Sequence, residues 1–165
     1  MSRPVAFNHV GIVVPDLEAA IAWYSDVMGF TLVAGPFDLR DDGPNGAQVL
    51  NVLGKNLKHL RQAHMSTANS VGLELFQPVD PAYQKPDHEV EFWRGGFFHI
   101  CVTDPDVAKL VDRIVATGGT QISDIWPERG AGQPYLMCYC TDPFGNVIEV
   151  YSHQYEYMQG HRAAI

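Results

Sequence analysis

Residues His9–Phe30 read HVGIVVPDLEAAIAWYSDVMGF, and residues His99–Gly119 read HICVTDPDVAKLVDRIVATGG. Both runs open on a histidine in an apolar, β-branched stretch. Both reach Pro-Asp six residues later (Pro15-Asp16, Pro105-Asp106) and a glycine twenty residues later (Gly29, Gly119). Each half then closes on a strand-like segment with one acid, Glu74 in VGLELFQP and Glu149 in NVIEVYSH. A unit used twice predicts architecture, because each copy must bury its open face against something else.

In the first copy the spacing predicts a strand over 7–14. A helix follows, capped by Asp16, with Glu18 in its first turn and Gly29 ending it near Met28. Further strands are expected at about 30–34, 48–53 and 71–77, with the turn RDDGPNG between the first two. The second copy predicts a strand over 97–103 and a helix from Pro105-Asp106 to Gly118-Gly119. Strands near 120–125, 135–141 and 147–151 complete it, with DPFGN as a tight turn. The expected fold class is α+β: two tandem βαβββ units forming a cup-shaped, half-barrel-like mixed sheet with helices outside. The units span about 5–78 and 96–152 of a single domain, 1–165, with a Pro- and charge-rich linker at 79–95 and a polar tail at 153–165.

Bulk composition narrows the function. At 165 residues the chain is one domain's worth, and 46% hydrophobic with 18% charged residues is the balance of a soluble globular protein. A net charge of −8 argues against a nucleic-acid partner, which needs a basic face. No apolar run approaches the roughly 20 residues that span a membrane. The opening MSRPVAFNHV lacks a signal-peptide core, so a cytoplasmic location is expected. The three cysteines, Cys101, Cys138 and Cys140, are odd in number and sit in predicted strands; they read as small hydrophobes, not a disulfide framework.

Strand alternation places His9 on one face with Phe7, Gly11 and Val13, and Glu74 with Gly72 and Phe76. In the second copy His99 goes with Phe97 and Cys101, and Glu149 with Val147 and Tyr151. Two carboxylates and two imidazoles meeting on such apolar faces lose solvation, and the carboxylates repel, unless a cation lies between them. His9, Glu74, His99 and Glu149 are therefore the expected ligands of one divalent metal per site. Such a nitrogen–oxygen set suits Ni, Co, Zn, Fe or Mn. Phe7, Phe76, Phe97, Tyr151 and the loop residue Trp126 are candidate substrate-binding aromatics. Lys55, Lys58, His59, Arg61 and His64 form the one basic cluster, read either as a solvated loop or as a contact for an anionic substrate tail.

The segments FNHVGIVVPDLEAAIAWYSDVMGF, VGLELFQP, FFHICVTDPD and TDPFGNVIEVYS resemble the vicinal oxygen chelate superfamily. That group includes glyoxalase I, methylmalonyl-CoA epimerase, extradiol dioxygenases, fosfomycin-modifying enzymes and bleomycin-binding proteins. The resemblance implies the same four ligands. It also implies a homodimer and a small carbonyl substrate, with Glu149, and Glu74 second, as the catalytic proton-transfer base. The reaction implied is that of a metal-dependent lyase or isomerase, moving a proton beside a metal-held carbonyl through an enediolate. The alternatives are a ring-cleaving dioxygenase and a non-catalytic protein that sequesters a small molecule or drug.

Departures from the family patterns separate these. The Arg and Asn that help hold glutathione in bacterial glyoxalase I are Val13 and Pro78 here. The expected third strand, AQVLNVLG, offers Gln48 and Asn51 where epimerases carry a further glutamate. Tyr139 matches the Tyr-x-x-Asp-Pro motif of the dioxygenases, but Gly130, Ala131, Gly132 and Gln133 stand where their acid–base histidine would fall. Bleomycin binders lack the ligands that this chain keeps.

Overall fold

A computed structural model describes residues 3–85, 91–93 and 95–160. The chain divides into two compact units, Met1–Pro86 and Asp87–Ile165, with the boundary inside the expected linker. The first holds β1 (His9–Val13), α1 (Leu17–Met28), β2 (Thr31–Arg40), α2 (Gly46–Leu53), β3 (His59–Ser66) and β4 (Gly72–Asp80). Its sheet runs β1-β4-β3-β2. β1 is parallel to β4, and the other pairs are antiparallel.

The second unit holds β5 (Ile100–Thr103), α3 (Val107–Ala116), β6 (Thr120–Gln121), β7 (Trp126–Pro127), β8 (Leu136–Thr141), β9 (Val147–Tyr151) and α4 (Tyr155–Gln159). Its order, β5-β9-β8-β6 with β7 also on β8, repeats the first, again with a parallel first pair. Each unit is thus an α+β layer with an open sheet, as the repeat predicts.

The helices form where their caps say. The Asp16 carboxylate accepts from the Ala19 amide at 2.9 Å, and Gly29 ends α1 at φ 69°. Leu17, Ala20, Trp23, Tyr24 and Val27 recur at helical spacing and are buried. α1 lies on β2, β3 and β4, where Leu60, Met65, Leu73 and Leu75 supply the other side of the core. Each fully buried aliphatic there contributes about 1.5–3 kcal/mol. In the second unit Asp106 caps α3 by accepting from the Lys109 amide at 3.2 Å. Pro105 therefore precedes the cap and does not occupy the first helical turn. Val107, Leu110, Val111 and Ile114 pack toward Cys138, Cys140, Ile148 and Val150.

Three expectations are corrected. Residues 48–53 belong to α2, not to a strand: a short apolar run fits either period, and Ala, Gln and Leu favour the helix. Gly46 starts that helix so close to the Asp41 carbonyl that a Cβ there would collide with it. The true third strand is β3, HLRQAHMS, whose polar residues hide a central strand with Leu60, Ala63 and Met65 buried. The strand expected over 120–125 is only Thr120–Gln121. β4 also continues to Asp80, into the expected linker. The tail docks as α4: Met158 is fully buried, and Arg129 donates to the Tyr157 and Met158 carbonyls while lying 4.0 Å over the Tyr135 ring. Among the described residues no helix is long and apolar enough to cross a membrane.

Candidate functional site

The parallel pairing places the two repeats' chemistry at the same register. Gly11 of β1 lies opposite Glu74 of β4, and Cys101 of β5 lies opposite Glu149 of β9. In each unit the histidine stands two residues before that partner, on the same face. In the first unit His9 Nε2 is 3.7 Å from Glu74 Oε2. In the second, His99 Nε2 is 3.3 Å from Glu149 Oε2. All four expected ligands are therefore found as two imidazole–carboxylate pairs, one in each unit.

Small residues make room for the first pair. Gly72 faces His9, and a Cβ on it would lie 2.9 Å from His9 Cβ. Gly11 leaves space for the Phe76 ring, which a Cβ would meet at 2.8 Å. The Asn8 side-chain oxygen lies 2.7 Å from His9 Nδ1, so Nε2 is the ring nitrogen on the Glu74 side. A third group joins from β3. His64 lies directly opposite Glu74, and its Nδ1 is 3.1 Å from Glu74 Oε1. His9, His64 and Glu74 line a pocket of about 250 Å³ together with Asn8, Ser66 and Ser70. The reading of 59–66 as a loop is what hid His64: as a strand, its alternation would have put His64 on the Glu74 face.

The second pair is drier. Glu149 is 5% exposed, and all five residues of β9 are buried. His99 packs against Phe98 and meets the Tyr139 ring edge-on at 5.6 Å. Its Nδ1 is buried without a hydrogen-bond partner among the described residues. Phe92 closes on both Phe98 and Tyr139. Desolvation first, and then the Glu149 carboxylate, push the Cys101 thiol and the Tyr139 hydroxyl far above their ordinary values. Tyr151 is pushed up to about 12 by the same two causes. All three stay protonated at neutral pH, so Cys101 is no thiolate here.

Phe7 and Phe97 are 70% exposed, Trp126 lies on the short β7, and Phe76 lies over Gly11. Tyr151 is buried, and its hydroxyl accepts from Gln159 of α4. Four members of the basic cluster are already matched by carboxylates. Lys58 pairs with Asp41 at 2.7 Å, His59 with Asp38 at 2.5 Å, Arg61 with Glu18 at 2.5 Å, and His64 with Glu74.

The donor chemistry fits a divalent cation. Two donors that each hold a first-row metal at about 2.1 Å stand about 3.0–3.5 Å apart. The two Nε2–Oε2 separations lie close to this spacing, and both exceed an ordinary hydrogen bond. A cation also offsets the cost of burying Glu149. Among the described residues no group of three or more His, Cys, Asp or Glu side chains converges as a ready metal cage.

The chain is 29% identical over 144 residues to an ethylmalonyl-CoA/methylmalonyl-CoA epimerase of Cereibacter sphaeroides, covering 87% of this chain and 94% of that one. Its fold matches a glyoxalase family protein from Bacillus cereus with a TM-score of 0.72 at 20% identity, over 91% of this chain and 95% of that one. It also matches a mutant of a fosfomycin resistance protein from Listeria monocytogenes complexed with Mn(II) and a dihydroxypropylphosphonic acid. There the TM-score is 0.57 at 14% identity, over 94% of this chain and 98% of that one. The sequence model of one superfamily matches residues 6–150, nearly the whole repeat. The chain belongs to the Glyoxalase/Bleomycin resistance protein/Dioxygenase superfamily.

Proposed function

We propose that this protein is a divalent-metal-dependent isomerase or lyase that moves a proton on the carbon next to a carbonyl group. The observation that carries the reading is the pair of His–carboxylate couples at matching registers of two repeats. His9, Glu74, His99 and Glu149 are the proposed ligands of Ni, Co, Zn, Fe or Mn. When bound, the ion supplies Lewis-acid polarisation of the substrate carbonyl, which acidifies the adjacent C–H.

The protein's own groups do the rest. Glu149, the buried carboxylate beside His99, removes and returns the proton; Glu74 is the second candidate. Tyr139 and His64 face these carboxylates across their strand pairs. The 29%-identical epimerase makes 2-alkylmalonyl thioesters the first substrates to try. The reading places the protein in the cytoplasm as a homodimer acting on a small carbonyl compound, with neither nucleic acid nor membrane as partner.

The test is metal content by elemental analysis of wild type, His99→Ala and Glu149→Gln, with solvent deuterium exchange into methylmalonyl-CoA and α-hydroxycarbonyl compounds followed by NMR. Near-stoichiometric metal that His99→Ala loses, with exchange that stops on chelation and in Glu149→Gln, is the expected result. A protein that takes up none of the five metals would instead be a sequestering binder.

A further inference from the structure

One group at the first couple lies outside the proposed donor set. His64 comes from the central strand β3 and faces Glu74 across the antiparallel pair, where facing Cβ atoms stand about 4.5–5.5 Å apart. The two oxygens of Glu74 serve different imidazoles. Oε1 lies 3.1 Å from His64 Nδ1, whereas Oε2 lies toward His9 Nε2 at 3.7 Å. The two histidines therefore approach opposite oxygens and do not converge as two ligands of one ion, in keeping with the lack of a three-donor cage. The Phe37 ring, 6.0 Å away centre to centre, braces the His64 imidazole from β2.

The repeat supplies an independent observation. In the second unit, the residue of β8 facing Glu149 is Tyr139, whose phenol is a potential hydrogen-bond donor. Each carboxylate thus faces a side chain able to hydrogen-bond from the neighbouring antiparallel strand.

We infer that His64 is a positioning residue for Glu74: it occupies Oε1 and leaves Oε2 as the single oxygen presented beside His9. The inference rests on the reading of Glu74 as a metal ligand. A carboxylate free to rotate would offer either oxygen, or both, and would lose that freedom on binding. A pinned one meets the ion already oriented. His64 is exposed enough at the pocket wall to be replaced without opening the core: its side chain is 34% exposed.

The test is Co²⁺ titration of the chelator-stripped full chain, as wild type, His64→Ala, His64→Asn, Glu74→Ala and the double variant His64→Ala/Glu74→Ala. His64→Ala should weaken binding by about 10- to 100-fold, as loss of a ligand's orienting partner does. His64→Asn, which keeps a donor near the Nδ1 position, should recover most of it. In the Glu74→Ala background His64→Ala should change nothing further. Unchanged affinity in a folded His64→Ala overturns the inference while leaving the metal reading intact. A further tenfold loss without Glu74 makes His64 a ligand and also overturns it. Failure of the wild type to take up Co²⁺ or any of the other four metals is the distinct failure of the metal reading itself. The contact is then decided in the metal-free protein: melting-temperature losses of the single variants should fail to add in the double, and additive losses refute it.

Discussion

Gly72→Ala tests whether the His9–Glu74 couple is built to a sub-ångström tolerance. The added Cβ would stand 2.9 Å from His9 Cβ, 3.7 Å from the Asn8 carbonyl and 3.8 Å from His9 Cα. Ordinary carbon contacts are about 3.5–4.0 Å, so the two strands must part or His9 must move by about 0.5–1 Å. No flexible side-chain end is there to absorb the contact, because the obstruction is the first carbon of His9, next to the backbone. Overpacking of this kind costs about 1–3 kcal/mol, offset in part by the gain of about 0.5–1 kcal/mol from replacing glycine within a strand. The protein should therefore stay folded with a modest loss of melting temperature. The couple should not survive as well, since functional constellations tolerate about 0.5 Å. Metal affinity should fall by about tenfold or more, read by calorimetric titration, and the His9 ring resonances of the metal-free protein should shift. Gly11→Ala is the control. Its Cβ meets the far edge of the Phe76 ring, which can swing away, so metal binding should change little. A folded Gly72→Ala that binds metal like the wild type would show that the close approach of β1 and β4 does not set the donor geometry.

Glu149→Gln should keep the fold, since the amide is nearly isosteric and removes a charge from a site that is 5% exposed. It should slow α-proton exchange by a factor of about 100 to 10,000; exchange within threefold of the wild type would remove Glu149 as the base. Met158→Ala should cost about 2–5 kcal/mol in urea unfolding, because the side chain that docks α4 is fully buried, whereas a loss under 1 kcal/mol would mean that the tail adds little. The Arg61 guanidinium beside Glu18 holds that carboxyl below its ordinary value of 4.5. A lowered carboxylate pKa stabilises the fold above the unfolded value and ceases to as pH falls through the folded value. Glu18→Gln should therefore cost a screened increment below about 1 kcal/mol at neutral pH, vanishing at acid pH, and an increment that grows on acidification would contradict the pairing.

How far the site could be read in advance differs between its parts. His9, Glu74, His99 and Glu149 could be singled out as candidates because each sits in an apolar run whose period-two alternation has one face, and because the repeat supplies a second copy of the pattern. His64 was not. Its strand, HLRQAHMS, is central in the sheet yet carries two histidines, an arginine and a glutamine, and three of those polar groups are satisfied by Asp38, Glu18 and Glu74 from other elements. Those partners are between 10 and 43 residues away in sequence, so local pattern made the stretch look like a solvated basic loop. The apolar run of α2 failed for the opposite reason: eight residues are too few for one period to exclude the other.

What the chain settles locally is the repeat itself: Asp16 and Asp106 as caps, Gly29 as a helix end, and strands that carry one histidine or one acid on an apolar face. These depend on side-chain bonds across three residues, backbone sterics and alternation, all of which act at short range. Which groups meet is decided by strand pairing. Only the parallel registers Gly11–Glu74 and Cys101–Glu149 bring each histidine to its carboxylate, and only the antiparallel register His64–Glu74 brings in the third imidazole. Strand register follows from which faces are buried, and a one-residue slip would turn every one of these side chains to the helix side. That burial is a property of the packed sheet and its helix, not of any single segment.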